Sequence, residues 1–559
     1  MDDRHIVAVD LGTSKIGVGV ARVTGNDMQV IYYKESPSDG IRASNIYNPK
    51  RASEAIGKAI REAEEELGLN IWQVVVCRPK YEVRQVNATG TMNRDENECI
   101  SEEEIADLKE MALNEFPLDK PEIQEIFGAV AQSFSTSEDF QLMERDIVGM
   151  MSDKLEGMFK LFIGSRRSMV SMENTFRMLG IMIAEKYFTP DLTAKSVLFD
   201  TEMDNGVALI DFGAGVTSVS IYCRNVMRHY ASIPFGGWSI TNDIKSICPV
   251  SEELAENIKL GYGVCIPDKL QNLGGKTLRI AGDDGLYRDL TVKKLSEVVT
   301  ARAEELVEAM LYEIEQSGMA SNLKSGIVIT GGGAELANLG NLIKQKSRFN
   351  VRVGNCKKMF SAADCEEIYL PSATAVTGML LKAKSRPDLD CAEQSGESRA
   401  ERLRRLEEER KEKERIENEK RAAEEAAAKA EREAWEKAEQ AARKAQELQD
   451  AADVDKSKLE DEKKAADKAA KDADDEKQRI INENKKLMEA LKRKQEEAEE
   501  KEARRREEEE RVKAQKREEE EKRRQDEIKA KQVEAAKKRK IRAKVIAWVG
   551  TLFEDVAEE

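Results

Sequence analysis

Apolar positions alternate with small residues in two stretches that mirror one another. Residues 6–21 read IVAVDLGTSKIGVGVA and residues 207–222 read VALIDFGAGVTSVSIY. Each runs from an apolar strand through an aspartate and a glycine-containing turn into a second, alternating strand. Each therefore predicts a β-hairpin with a carboxylate at its bend, and together they form an internal repeat. Asp10 matches Asp211, and Gly12 matches Gly213. Two such hairpins predict two related α/β lobes facing a shared cleft. A third glycine turn, IVITGGGA at 327–334, follows a strand and precedes the helical pattern ELANLGNLIKQK. Between these landmarks, 50–68 and 293–317 carry apolar residues at helical spacing, and 71–77 (IWQVVVC) reads as a buried strand. The stretch 84–171 holds ISEEEIADLKEMALNE, a helix with Ser101 as its cap and Glu104 three residues on, and strand-like runs such as KLFIG. It predicts an inserted small α/β unit.

The pattern changes near residue 386. The last proline is Pro387, and from Glu397 to Val549 there is neither proline nor glycine. Glu, Lys, Arg and Ala dominate that stretch, which cannot bury a core of its own. The chain divides into a head and a stalk. Large apolar residues in 398–540 are sparse, while runs such as KREEEEKRRQDE place opposite charges at i,i+4 spacing. That spacing supports a solvated single helix. A continuous coiled coil, which wants apolar a and d positions over several heptads, and a disordered tether are the other readings. Fully helical, the stalk would be on the order of 210 Å long at 1.5 Å per residue.

Beyond it, Ile541, Val545, Trp548, Val549, Leu552 and Val556 recur at helical spacing, and Ile546 and Phe553 widen the same face. Lys537, Lys538, Arg539, Lys540, Arg542 and Lys544 lead into it. A Trp- and Phe-bearing apolar face entered from a basic cluster predicts an amphipathic helix lying on an anionic membrane surface. A helix docking on a protein is the alternative.

Charge narrows the partners. Of the net −16, residues 1–397 contribute nearly all, with 44 Lys/Arg against 59 Asp/Glu, whereas 398–540 is balanced at 45 against 44. Nucleic-acid affinity comes mainly from cationic contacts to phosphates, so an acidic head argues against DNA or RNA. The eight cysteines contain no CxxC pair, and His5 and His229 are the only histidines. Zinc coordination and Ser-His-Asp catalysis have little to work with. The cysteines read as reduced, structural thiols of a cytosolic protein. No signal peptide opens the chain and no apolar run approaches ~20 residues, so membrane contact is expected to be peripheral.

The motifs point to phosphate chemistry. Gly12-Thr13-Ser14-Lys15 offers backbone amides and hydroxyls around an anion, with Lys15 to neutralise it. Asp10 and Asp211 are candidate holders of hydrated Mg²⁺, which prefers carboxylates plus waters. Gly331, Gly332 and Gly333 let the backbone approach a flat ligand closely. Either hairpin alone reads as an ordinary tight turn; both, followed by the glycine turn, read as a nucleotide cleft. Gly275-Lys276-Thr277 has the ending of a P-loop, but Leu270 stands where the opening glycine belongs and strand-like LRI follows.

The order DLGTSK, DFGAGVTS, ITGGGAEL resembles the two phosphate loops and the adenosine loop of the actin, sugar-kinase and Hsp70 superfamily. The stretches AKSVLFDTEMDNGVALIDFG, IPFGGWSITNDI, AENIKLGYG and PSATAVTGMLL resemble the FtsA family of actin-like bacterial cell-division proteins. DIVGMMSDKLEGMFKLFIG is similar to part of the subdomain that this family carries in place of actin's usual one. The resemblance covers about 1–385. It implies an actin-like two-lobed α/β ATPase fold, with subdomain 1A at 1–83 and 172–205, an inserted 1C at 84–171, 2A at 206–241 and 324–385, and 2B at 242–323. The stalk, 386–540, and the tip, 541–559, follow.

The resemblance also implies a site for ATP and Mg²⁺. Gly12, Thr13, Ser14, Lys15, Gly213, Ala214, Gly215 and Thr217 would cradle phosphates, with Asp10 and Asp211 near the metal. Glu256 and Lys259 would reach the ribose and adenine, and Gly331 through Gly333 would form the adenosine loop. The implied role is an adaptor that polymerises on the cytoplasmic face of the cell membrane at the division site. There it would bind the C-terminal peptide of FtsZ through 2B, alongside other division proteins. A chaperone-type ATPase or a PilM-like pilus assembly component are alternatives. Ala214, Val216 and Ser218 interrupt the usual Gly-Gly-Gly-Thr-Thr-Asp-like run, and 185–205 offers only Glu185, Asp191, Asp200 and Glu202 as water-orienting candidates. Both departures imply slow hydrolysis at most.

Overall fold

Both mirrored stretches form the hairpins that their alternation predicts. Arg4–Leu11 pairs antiparallel with Lys15–Thr24, setting Asp10 opposite Gly17, and Val207–Phe212 pairs with Thr217–Cys223, setting Asp211 opposite Ser218. A third antiparallel strand extends each hairpin, Asp27–Pro37 in the first lobe and Val226–Ile233 in the second. On the other side each first strand carries two parallel neighbours. These are Gln73–Cys77 then Met182–Tyr187, and Ile327–Thr330 then Val351–Val353. The two five-stranded sheets thus share one order, third, second, first, fourth, fifth along the chain. Every residue of Gln73–Cys77 and of Val207–Phe212 is buried, as expected of strands covered on both faces. This duplicated lobe is the actin-like α/β fold.

The computed structural model describes residues 3–393, apart from 96–97, 271–273, 283–284 and 363, together with scattered positions between 401 and 504. The amphipathic segment expected at 541–559 lies outside the described residues. Residues 3–403 form one unit, and the stalk belongs to another.

The insertion has its own core. Its sheet runs Arg84–Asn93, Lys154–Ser165, Gln124–Ser135, with Leu108 of the helix Glu102–Asn114 fully buried and Phe134 edge-on to Phe159 at 6.1 Å. The Ser101 hydroxyl accepts from the Glu104 amide while the Glu104 carboxylate accepts from the Ser101 amide, so two donors left over at the helix start are satisfied reciprocally.

Two boundaries differ from the expected subdomain spans. The helix Arg166–Met178 sends Met169, Met172 and Phe176 into the first lobe's core, so the insertion's sheet ends at Ser165. The helix Thr374–Lys384, expected with the second lobe, packs Val376, Met379 and Leu380 against the first lobe's sheet. Small residues make room for it: a Cβ on Gly19 would stand 2.5 Å from Val376 Cγ1. The chain then stays on the first lobe, where Ala392–Glu393 pairs with Asn70–Ile71.

Every described residue from 401 onward is helical, and Arg421–Glu425, Lys429–Glu433 and Glu439–Arg443 are the i,i+4 ion pairs that the charge pattern predicts. Two described stretches of the stalk nevertheless meet. The Lys477 ammonium sits 4.0 Å from the centre of the Trp435 ring, 42 positions earlier in the chain. One continuous helix would hold those positions about 63 Å apart. Close to these positions along the chain Ala434 is buried and Ala430, Ala473, Lys477, Ile480 and Ile481 are half-covered, so alanine supplies three of these six covered positions. Alanine lets two helices approach closely without large a and d side chains, which is why counting large apolar residues understates this contact.

Among the described residues no helix is long and apolar enough to cross a membrane. All eight cysteines are free, and six are buried.

Candidate nucleotide cleft

The turns at the two hairpin bends close in the same way. A Cβ on Gly12 would lie 2.4 Å from the Lys15 carbonyl oxygen, and one on Gly213 would lie 2.7 Å from that of Val216. Only glycine fits either place. The second turn is braced from behind by the helix Gly237–Ile247. The first amides of that helix, Gly237 and Trp238, donate to the carbonyls of Gly213 and Ala214 at 3.0 and 2.8 Å. Helix-start donors that would otherwise lack partners are thereby used to hold the loop.

Between the lobes lies a cavity of about 730 Å³, within the range of about 300–1,000 Å³ common for small-molecule sites. Of the sequence-predicted residues, Asp10, Gly12, Thr13, Ser14, Lys15, Asp211, Gly213, Ala214, Gly215, Glu256, Lys259, Gly331, Gly332 and Gly333 all line it. Thr217 does not. It is fully buried, and its hydroxyl donates to the Phe235 carbonyl at 2.8 Å, tying the second strand to the segment before the bracing helix. Val216 lines the cavity in its stead.

On the far side, the helix Glu252–Tyr262 presents Glu256 and Lys259 one turn apart. The Lys259 ammonium donates to Glu256 Oε2 at 2.7 Å, and to the Gly237 carbonyl and Thr241 Oγ1 at 3.0 Å each. The glycine turn faces this wall with Gly332 turned toward Lys15, whose Nζ lies 3.8 Å from where a Gly332 Cβ would be.

Two charged residues that motif reading missed complete the site. Glu35 accepts from Lys15 Nζ at 2.5 Å, from the Tyr33 hydroxyl at 2.7 Å and from the Ser372 hydroxyl at 3.0 Å. Burial raises its pKa, but those bonds win and hold its carboxyl below its ordinary value. Lys80 follows the strand Gln73–Cys77 and donates to Asp211 Oδ2 at 2.6 Å across the cleft. Burial disfavours its charge, yet Asp211 and Asp10 outweigh this and hold it above its ordinary value. Burial pushes the Asp10 carboxyl up, against the pull of Lys80. Its position was the available signal: ligands in open α/β sheets sit beyond the carboxyl ends of parallel strands, and Lys80 is three residues past one.

Asp10 and Asp211 do face one cavity, but they do not fit a Mg²⁺ held directly by both while Lys80 keeps Asp211 Oδ2. Among the described residues no group of three or more His, Cys, Asp or Glu side chains converges as a metal cage. The four water-orienting candidates are not among the cavity-lining residues. Glu185 pairs with Arg386, Asp191 with Lys195 at 3.4 Å, and Glu202 with Arg352 at 2.6 Å, while Asp200 acts on Lys357.

The family profile described as Cell division protein FtsA matches residues 208–378. Cell division protein FtsA of Neisseria meningitidis is 27% identical over 380 residues, covering 67% of this chain and 89% of that protein. The FtsA of Streptococcus pneumoniae is 29% identical, covering 62% and 74%, and that of Bacillus subtilis 26% identical, covering 62% and 78%. Among solved structures, a PilM-PilN type IV pilus biogenesis complex aligns at a TM-score of 0.47 with 14% identity, covering 67% of this chain and 98% of that one. MreB5 of Spiroplasma citri bound to ADP aligns at 0.42 with 12% identity, covering 68% and 96%.

Proposed function

Because the chain belongs to the FtsA family of cell-division proteins, with the family's actin-like fold, we propose that its head binds ATP between the lobes and works as a membrane-bound adaptor for FtsZ. The observation that carries the nucleotide reading is the convergence of both glycine-bent turns and the Gly331–Gly333 turn on one cavity. The amides of the two turns would cradle the phosphates, Lys15 would meet their charge on leaving Glu35, and Glu256 and Lys259 would bound the nucleoside end. With no carboxylate of 185–205 lining the cavity, hydrolysis is slow and serves assembly rather than turnover.

The remaining parts follow the family plan. The insertion helps heads stack into actin-like filaments, and the region 242–323 receives the C-terminal peptide of FtsZ. The tip 541–559 holds the filament to the cytoplasmic face of the membrane at the division site. The tip's composition supports this over a chaperone or pilus role, since a basic cluster followed by a Trp- and Phe-bearing face is what an interfacial helix needs. One anchor binds modestly, whereas many on one filament act together.

Co-pelleting of the full chain with anionic liposomes, with and without ATP and FtsZ, tests the adaptor. Binding should rise with ATP and carry FtsZ along, and Trp548→Glu should release the protein while ATP binding persists. A Trp548→Glu protein that pellets like the wild type would remove the membrane anchor from this reading. A protein that pellets normally but never brings FtsZ would remove the adaptor.

A further inference from the structure

The side chain that bridges the cleft is a lysine, and it stands where a metal would be sought. Lys80 is not a surface lysine reaching inward. Its backbone amide donates to Ser44 Oγ of its own lobe at 3.1 Å, and its carbonyl accepts from the Tyr230 hydroxyl of the other lobe at 2.5 Å. The main chain is pinned from both sides, and the side chain is only 18% exposed. Both oxygens of the Asp211 carboxylate are enclosed. Oδ2 accepts from Lys80, and Oδ1 lies so close to Gly331 that a Cβ there would be 2.4 Å away. Gly331 has φ +82°, a left-handed conformation that favours glycine and permits this approach. Asp10 faces the same ammonium from the first hairpin.

One of the two carboxylate charges is already compensated by the buried ammonium, which pairs with Asp211 at 2.6 Å and also attracts Asp10. Adding a divalent cation in contact with the same oxygens would set like charges side by side in a site that screens them poorly. Mg²⁺ also demands near-octahedral space and gives up water reluctantly.

We propose that Lys80 is the resident counter-ion of the Asp10–Asp211 pair and a positioning residue of the cleft, so that the two aspartates hold no divalent cation of their own. The same ammonium ties the first lobe to the second without any ligand. A nucleotide entering this cleft then meets lobes already bridged, and it binds with little dependence on Mg²⁺. This second consequence rests on the ATP reading above; the first does not.

The test uses Mn²⁺ alone as the probe, with the full-length protein and free Mn²⁺ followed by paramagnetic resonance. Wild type should show no Mn²⁺ uptake that Asp211→Asn removes. Lys80→Met should gain one Mn²⁺ site, and Lys80→Met/Asp211→Asn should lose it, while Lys80→Arg, which keeps the charge, should behave as wild type. Thermal melts of each variant establish that the head is folded. A wild-type Mn²⁺ site that disappears with Asp211→Asn would overturn the proposal, and that arm does not depend on how Lys80→Met folds. So would a folded Lys80→Met protein that gains no site.

A fluorescent ATP analogue adds the nucleotide arm. Wild-type affinity should differ less than about threefold between Mg²⁺ and EDTA buffers, whereas Lys80→Met should lose about tenfold or more when Mg²⁺ is removed. Wild type binding no nucleotide in either buffer would sink the ATP reading and leave the Mn²⁺ result to decide Lys80.

Discussion

Thr13 of the first turn lies directly against Gly215 of the second: a Cβ on Gly215 would stand 2.4 Å from Thr13 Oγ1 and 2.8 Å from its Cγ2. Two loops 202 positions apart in sequence, one from each lobe, therefore meet with only the Thr13 side chain between them. Gly215→Ala should push them apart and weaken binding of a fluorescent ATP analogue by about tenfold, a cost of ~1.4 kcal/mol. The obstacle is the Thr13 side chain, so Thr13→Gly in the Gly215→Ala background should recover part of the loss relative to Thr13→Gly alone. Additive losses in the double variant would mean that the two loops act independently.

Glu35 gives the cleft an acid sensitivity. Its folded-state pKa is depressed below the ordinary 4.5, because the bonds from Lys15, Tyr33 and Ser372 outweigh burial. A group depressed in this way contributes stability that is full above its unfolded value and is lost as pH falls through the folded one. The wild type's advantage over Glu35→Gln should therefore be constant above about pH 5 and shrink as pH drops below the ordinary carboxylate range. The pair is partly exposed, 36% at Lys15 and 29% at Glu35, so the advantage should stay near or below ~1 kcal/mol. Denaturant melts across that range measure it, and a difference that grows toward acid would refute the assignment.

The stalk contact is checkable in the full chain. Trp435→Cys with Lys477→Cys should form a disulfide under mild oxidation, giving a faster band on a non-reducing gel at every protein concentration. Cross-linked dimers alone would assign the helix contact to separate chains. A cysteine pair that never closes would place these positions apart in solution.

Much of the site was legible because strand alternation and glycine spacing are local. A period of two with an aspartate at the bend implies a hairpin whatever surrounds it, and so Asp10, Asp211 and both turns could be placed from residues 6–21 and 207–222. The Ser101–Glu104 cap is local for the same reason.

What the tertiary structure alone decided are the long-range choices. Lys80 and Asp211 lie 131 positions apart, and nothing in either's neighbours says which carboxylate a lysine will find. Thr217 resembles a phosphate-loop hydroxyl in sequence, but the register sets it opposite Phe212, and its hydroxyl is used by the Phe235 carbonyl. The helix Thr374–Lys384 returns to the first lobe because Gly19 leaves space for Val376, a fit that exists only once the sheet has formed. Trp435 meets Lys477 because alanine faces allow two helices to close together, whereas the charge pattern alone is equally content with one long rod. Periodicity states what each segment is, while pairing depends on which surfaces the folded chain brings within a few ångströms.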